Sequence, residues 1–107
     1  MACEKQMDFM LTAPIISVFN YLSSLPSIAN IKVTFVDRQN YIIHLSNSAS
    51  FTSWGEDITI SFFDPMNGGT RIIVKSKSTV PITLVDYGKN QNNVMSIYQY
   101  IASLYNR

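Results

Sequence analysis

The residues that could do chemistry gather in two short stretches and at one isolated position. Lys75–Asn90 reads KSKSTVPITLVDYGKN. It offers two hydroxyls two residues apart (Ser76, Ser78), a lone carboxylate (Asp86), a turn glycine (Gly88) and an amide (Asn90). Ser53–Asp57 reads SWGED and sets the single tryptophan, Trp54, beside Gly55, Glu56 and Asp57. The isolated position is His44, the single histidine. A hydroxyl becomes a nucleophile only when a base lies within hydrogen-bond reach of it. Serine, histidine and aspartate in one polypeptide do not supply that geometry, and no G-x-S-x-G turn is present. A small hydrolase-like enzyme using Asp86 with His44 or the serines is therefore the alternative reading. No cysteine or second histidine stands near His44, so no metal-ligand spacing exists and no metal is expected. Cys3 precedes the first strand and is not read as a nucleophile. No cofactor motif is found; Gly68-Gly69 fits a hairpin turn better than a phosphate cradle.

The Lys75–Asn90 stretch has a physical reading of its own. Ser76 and Ser78 fall in phase with Ile72 and Val74 on one strand, so they point inward, where hydroxyls need partners. Asp86 precedes a helix start, where backbone N–H groups and the helix dipole favour a carboxylate. Gly88 supplies a backbone angle that other residues avoid. Asn90 is a good N-cap. The stretch reads as a joint that turns the last strand into the last helix. The other reading is a polar recognition patch at the end of a groove. In that case Trp54, Ser76, Ser78, Asp86 and Asn90 touch a ligand. Trp54 either closes one end of the core, with Glu56 and Asp57 facing water, or lines the mouth of that groove.

Seven elements must position these groups. Met7–Leu11 alternates with a period of two and reads as a strand. Thr12 is placed to cap a helix with Pro14 in its first turn, and Ile15, Val18, Phe19 and Leu22 form its apolar stripe. Pro26 stops it. Four strands follow. Ile31–Asp37 should bury Ile31, Val33 and Phe35. Tyr41–Phe51 sets Tyr41, Ile43 and Leu45 against Ile42 and His44. Asp57–Phe63 and Thr70–Ser78 are joined by the turn DPMNGG. The last helix starts at Asn90 and carries Val94, Ile97, Tyr98, Ile101, Leu104 and Tyr105 on one stripe. The order β-α-β-β-β-β-α predicts one α+β domain over residues 1–107. Its antiparallel sheet curves around a C-terminal helix, as in the TATA-box-binding-protein-like or helix-grip class.

With the elements in place, the motif resembles a known family. Acidic pair, strand, turn, strand, then R-S-x-S-R, an apolar link, D-x-G-x-N-x-x-R and a helix is the signature of domain-of-unknown-function family fourteen-ninety-nine. Glu56-Asp57, Ser76, Ser78, Asp86, Gly88 and Asn90 fall on that pattern over about residues 51–104. Thr79 and Asn93 stand where the family has arginines, and the link is two residues longer. An anion or carboxylate held by those arginines is lost here. The family carries no established activity, so the resemblance implies fold and motif boundaries only.

Composition narrows the function classes. The protein has 107 residues, 47% hydrophobic and 14% charged, with a formal net charge of +1. That is a folded polypeptide, large enough for one core. Its basic cluster is Arg71, Lys75 and Lys77, too little for a nucleic-acid footprint. No segment reaches the length of a membrane span, and no signal-peptide pattern is seen, so a cytoplasmic protein is expected. One cysteine excludes an internal disulfide. The expected function is a non-catalytic binding module for a small apolar ligand or a protein partner. Phe35, Tyr41, Phe62, Trp54 and Tyr98 are candidates to line a pocket. Met95, Tyr100 and Tyr105 would form an outer patch for a homodimer through the C-terminal helix.

Overall fold

The computed structural model describes residues 4–26, 28, 30–47, 55–79 and 88–105. Its elements are β1 (Glu4–Leu11), α1 (Ile15–Leu22), β2 (Ile31–Asp37), β3 (Ile42–Asn47), β4 (Glu56–Phe63), β5 (Thr70–Ser78) and α2 (Lys89–Tyr105). This is the expected β-α-β-β-β-β-α order. The strands form one curved antiparallel sheet in the order β1-β5-β4-β3-β2. The first strand thus pairs with the last, Glu4 opposite Lys77 and Leu11 opposite Thr70. α2 lies over β5 and β1 and reaches β4, while α1 packs against β4.

One face of the sheet carries the core. On β4 it presents Glu56, Ile58, Ile60 and Phe62; on β5 it presents Thr70, Ile72, Val74, Ser76 and Ser78. All nine are buried. α2 answers with Val94, Ile97 and Ile101, each no more than 1% exposed. α1 adds Val18, Phe19 and Leu22. Burying each such side chain stabilises the fold by about 1.5–3 kcal/mol. Aromatic edges tie the elements together. The Phe19 ring meets Tyr41 at 5.1 Å and Phe62 at 5.2 Å, and Phe9 of β1 meets Tyr98 of α2 at 4.9 Å.

Four local expectations are corrected. Phe35 is 60% exposed, not buried. Val33 pairs with Leu45 but Phe35 pairs with His44, so Thr34 is an extra residue in a bulge. The bulge inverts the alternation: Val36 packs on the core and Phe35 faces outward. The Thr34 hydroxyl donates to the His44 carbonyl at 3.1 Å at the same place. Second, Thr12 does not cap α1. The cap position is Pro14, at φ −65° and ψ 148°, with no side-chain bond. Third, α2 begins at Lys89, so Asn90 lies inside its first turn and is not its cap. Fourth, β4 begins one residue early, at Glu56. β3 is described to Asn47; the rest of Tyr41–Phe51 lies outside the described residues.

Turn chemistry fixes the two ends of the β4–β5 hairpin. Asp64 accepts from the Met66 N–H at 2.8 Å, and Asn67 accepts from the Gly69 N–H at 2.9 Å. Gly69 has no alternative, because a Cβ there would lie 2.5 Å from the Leu11 carbonyl oxygen. Across this end, buried Thr70 donates its hydroxyl to the Ala13 carbonyl at 2.7 Å.

Candidate functional site

Three strand ends meet at the opposite rim of the sheet. Glu56 pairs with Asn47 of β3 and with Ser78 of β5, so the inner face there ends in a row of polar side chains. One row deeper lie Leu45, Ile58 and Ser76. The first turn of α2 covers this rim with Asn90 and Asn93. These two are in helical phase with Val94, Ile97 and Ile101, so the apolar stripe of α2 has a polar head.

The six polar residues bond to one another. The Asn47 amide donates to Asn93 Oδ1 at 2.8 Å. Asn93 Nδ2 donates to Glu56 Oε1 at 3.0 Å and to Ser76 Oγ at 3.1 Å. Ser76 Oγ donates to Asn90 Oδ1 at 2.7 Å, and Asn90 Nδ2 donates to Ser78 Oγ at 3.1 Å. Glu56, Ser76 and Asn90 are completely buried. Among the described residues, every buried side-chain nitrogen and oxygen has a partner. A buried network of this kind is stabilising only when it is complete, because each orphaned group costs about 1–3 kcal/mol. Beside it, the Thr79 N–H and hydroxyl both donate to the Gly55 carbonyl, at 3.1 and 3.2 Å. Gly88, at φ +77°, accepts from the Asn92 N–H at 2.9 Å and opens the helix.

The structure brings together Ser76, Ser78 and Asn90. Trp54 and Asp86 lie outside the described residues, as does Cys3. Glu56, expected in water, is instead fully buried; Asp57 beside it is exposed. The expected helix cap, Asn90, spends its side chain on the two serines. Sequence reasoning missed Glu56, Asn93 and Asn47 as members of the cluster. The signal was their phase: Glu56 alternates with Ile58, and Asn93 stands four residues before Ile97.

His44 is on the wrong side for chemistry with the serines. It alternates with buried Ile43 and Leu45 and stacks obliquely on exposed Phe35, ring centres 5.7 Å apart. The sheet separates it from Ser76 and Ser78. Two of the three residues of the basic cluster are charge-paired: Arg71 binds Asp8, and Lys75 reaches Glu4 at 3.2 Å. Arg71 holds the Asp8 carboxyl below its ordinary pKa, first through their hydrogen bond. The described part of α2 does not show the expected apolar outer patch. Tyr100 and Tyr105 pack against the core, and the exposed positions are Gln91, Asn92, Gln99 and Ser103. Among the described residues no cluster of three metal-ligating side chains occurs, and no helix is long and apolar enough to cross a membrane.

A groove lies farther along α2. Tyr100 is ten residues after Asn90, roughly 15 Å along the axis. With Tyr21, Leu22, Ser24, Leu25 and Pro26 it lines a space of about 430 Å³. Leu22 and Leu25 form its buried floor, and Tyr21 is 57% exposed at its lip. The Tyr105 ring stands edge-on to Tyr21 at 6.4 Å. Burial pushes the Tyr105 phenol above its ordinary pKa, and Tyr21 adds to this. The described lining residues carry no carboxylate, ammonium or guanidinium.

Comparison with known proteins places the architecture. No protein-family model and no curated sequence matches the protein. Solved structures do. It is similar to Ara h 8.0201, with TM-score 0.60 and 12% identity, over 94% of this chain and 92% of that one. It is also similar to a norcoclaurine synthase point mutant of Thalictrum flavum in complex with a transition-state analogue. There the TM-score is 0.66 and the identity 8%, over 97% of this chain and 94% of that one. Both are helix-grip proteins, and the present sheet and helix form the helix-grip fold.

Proposed function

We propose that the protein is a non-catalytic binding module for a small, neutral, largely apolar molecule, seated between the end of α1 and α2. The groove carries this reading. Its volume of about 430 Å³ falls in the range of small-molecule sites, and its lining pairs apolar side chains with two phenols and a serine hydroxyl. None of its described lining residues carries a charge to offset the desolvation of an ionic ligand. The fold supports the reading, since the solved norcoclaurine synthase structure holds a small molecule on the same architecture.

In this proposal Ser76, Ser78 and Asn90 act as the joint. They and their partners fix the head of α2, and the groove opens beside its other end. Contact of Ser76, Ser78, Asn90, Trp54 or Asp86 with a ligand is the competing assignment. The complete bonding of the first three favours the joint. The resemblance to family fourteen-ninety-nine stays a proposal too. In its support, Glu56, Ser76, Ser78, Asn90 and the arginine-position residue Asn93 all meet in one cluster. The hydrolase alternative loses its serine–histidine version to the sheet between them.

The test is a titration with the neutral fluorophore N-phenyl-1-naphthylamine. Saturable one-to-one binding is expected. Ser24→Trp should fill the groove and abolish it while circular dichroism and the melting temperature hold. Ser78→Ala should leave the affinity alone. Absence of binding by wild type, or binding untouched by Ser24→Trp, removes the groove. Loss of affinity in Ser78→Ala with a retained fold returns the site to the polar cluster.

A further inference from the structure

We propose that Asn67 is a site of spontaneous deamidation, which makes the apolar hairpin end of the sheet anionic. Asn67 is exposed and is followed by Gly68 in the β4–β5 turn. None of the other asparagines precedes a glycine. The Asn67 side-group carbonyl oxygen, Oδ1, accepts from the Gly69 N–H at 2.9 Å. That bond folds the side chain over the Gly68 peptide and draws electrons from the amide carbon. Gly68 sits at φ +86°, and the space where a Cβ would stand is empty to 4 Å. Without a side chain at Gly68, no Cβ hinders the approach of its backbone nitrogen to Asn67.

The step balances with water alone. The Gly68 amide gives its proton to a solvent base, and its nitrogen attacks Asn67 Cγ. A new C–N bond closes a five-membered succinimide. The Cγ–Nδ2 bond of Asn67 breaks, and that nitrogen leaves with a proton as ammonia. Water then opens either carbonyl of the ring, giving aspartate or isoaspartate. Nothing is oxidised or reduced.

The position gives the change a consequence. Met10, Ile16, Phe63 and Met66, the last 88% exposed, all stand at this end. Asn67 lines one shallow groove among them, with Met10, Leu11, Thr12 and Gly69. Asp64 and Met66 border the next, with Ile16. Deamidation sets a second carboxylate beside Asp64 and takes the formal net charge from +1 to zero. An aspartate product can still accept from the Gly69 N–H. An isoaspartate lengthens the backbone within a turn where Gly69 already crowds Leu11.

The experiment ages the purified protein at mildly alkaline pH and follows it by isoelectric focusing and peptide mapping. A more acidic species should grow in with first-order kinetics. Aspartate and isoaspartate should map to the peptide holding Asn67, with the other asparagines intact. Gly68→Ala should slow it severalfold, and Asn67→Gln should stop it with the circular dichroism unchanged. No acidic species, one that maps to another residue, or one that forms as fast in either variant overturns the proposal.

Discussion

Replacing Asn93 by leucine tests whether the polar cluster, and not the apolar stripe alone, seats the head of α2. Leucine has the same branched shape and the same number of heavy atoms, so the change is chiefly one of bonding. The Asn47 amide loses its acceptor at 2.8 Å, Glu56 loses a donor at 3.0 Å, and Ser76 loses one at 3.1 Å. Orphaning the Asn47 amide costs about 1–3 kcal/mol, and the buried carboxylate stands at the upper end of that range. Ser76 keeps its bond to Asn90 and adds little. The leucine returns about 1–2 kcal/mol of apolar burial. The net loss is then about 2–5 kcal/mol, a large part of a typical total of about 5–15 kcal/mol. Urea unfolding at neutral pH measures it as a lower midpoint at constant slope. Asn47→Leu in the same background removes the orphaned amide, so the double variant should lose less than the sum of the singles, by about 0.5–3 kcal/mol. A single-variant loss under about 1 kcal/mol, or strict additivity, refutes the network and leaves docking to Ile97 and Ile101.

Four further outcomes are expected. Ile97→Ala and Ile101→Ala, both at fully buried positions, should each cost about 2–5 kcal/mol in the same unfolding assay. Phe35→Ser should stay within about 0.5 kcal/mol of wild type, because the bulge has turned the ring outward; a core-sized loss would deny the bulge. Gly69→Ala should lower the melting temperature through the clash with the Leu11 carbonyl, at a cost of about 1–3 kcal/mol. Asp37 has its pKa lowered, first by the Asn40 side-chain amide and then by the Asn40 and Gln39 N–H groups. Its contribution to stability is therefore present above the unfolded pKa and is lost as pH falls through the lower folded one. Carboxyl NMR should show the depressed value, and Asn40→Ala should raise it.

The phase of β5 is legible in the sequence because alternation is unbroken from Thr70 to Ser78, and the two serines follow Ile72 and Val74 inward. Glu56 obeys the same rule ahead of Ile58. Assigning it to water by residue type overrides a pattern that is present. Asn93 escapes notice for a similar reason, as a polar residue in a stripe scored by its apolar members. The bulge at Thr34 leaves no mark, since no glycine or proline stands there and the strand reads as regular. The start of α2 turns on one residue, with Gly88, Lys89 and Asn90 all acceptable at a helix entrance. The groove cannot be read at all. Its lining comes from the end of α1, the loop after it and the far part of α2, and only the packing of those elements brings Tyr21 and Tyr100 to one space.

An open sheet has two outer strands, and each can recruit a second molecule into a growing ladder. The irregularity at Thr34 sits on one of these strands, β2. An extra residue there interrupts the even spacing of backbone donors and acceptors and bends the strand, so an incoming segment cannot stay in step with it. At the other margin, β1 begins with Glu4 and Lys5, and Lys5 stands in the inward-facing column opposite Ser76 while remaining exposed. A neighbour pairing along β1 would have to cover that ammonium or leave the column. Deleting Thr34 would leave Val33, Phe35 and Val36 in unbroken in-out-in alternation, with Phe35 still outward, and would give β2 a regular margin prone to association between molecules.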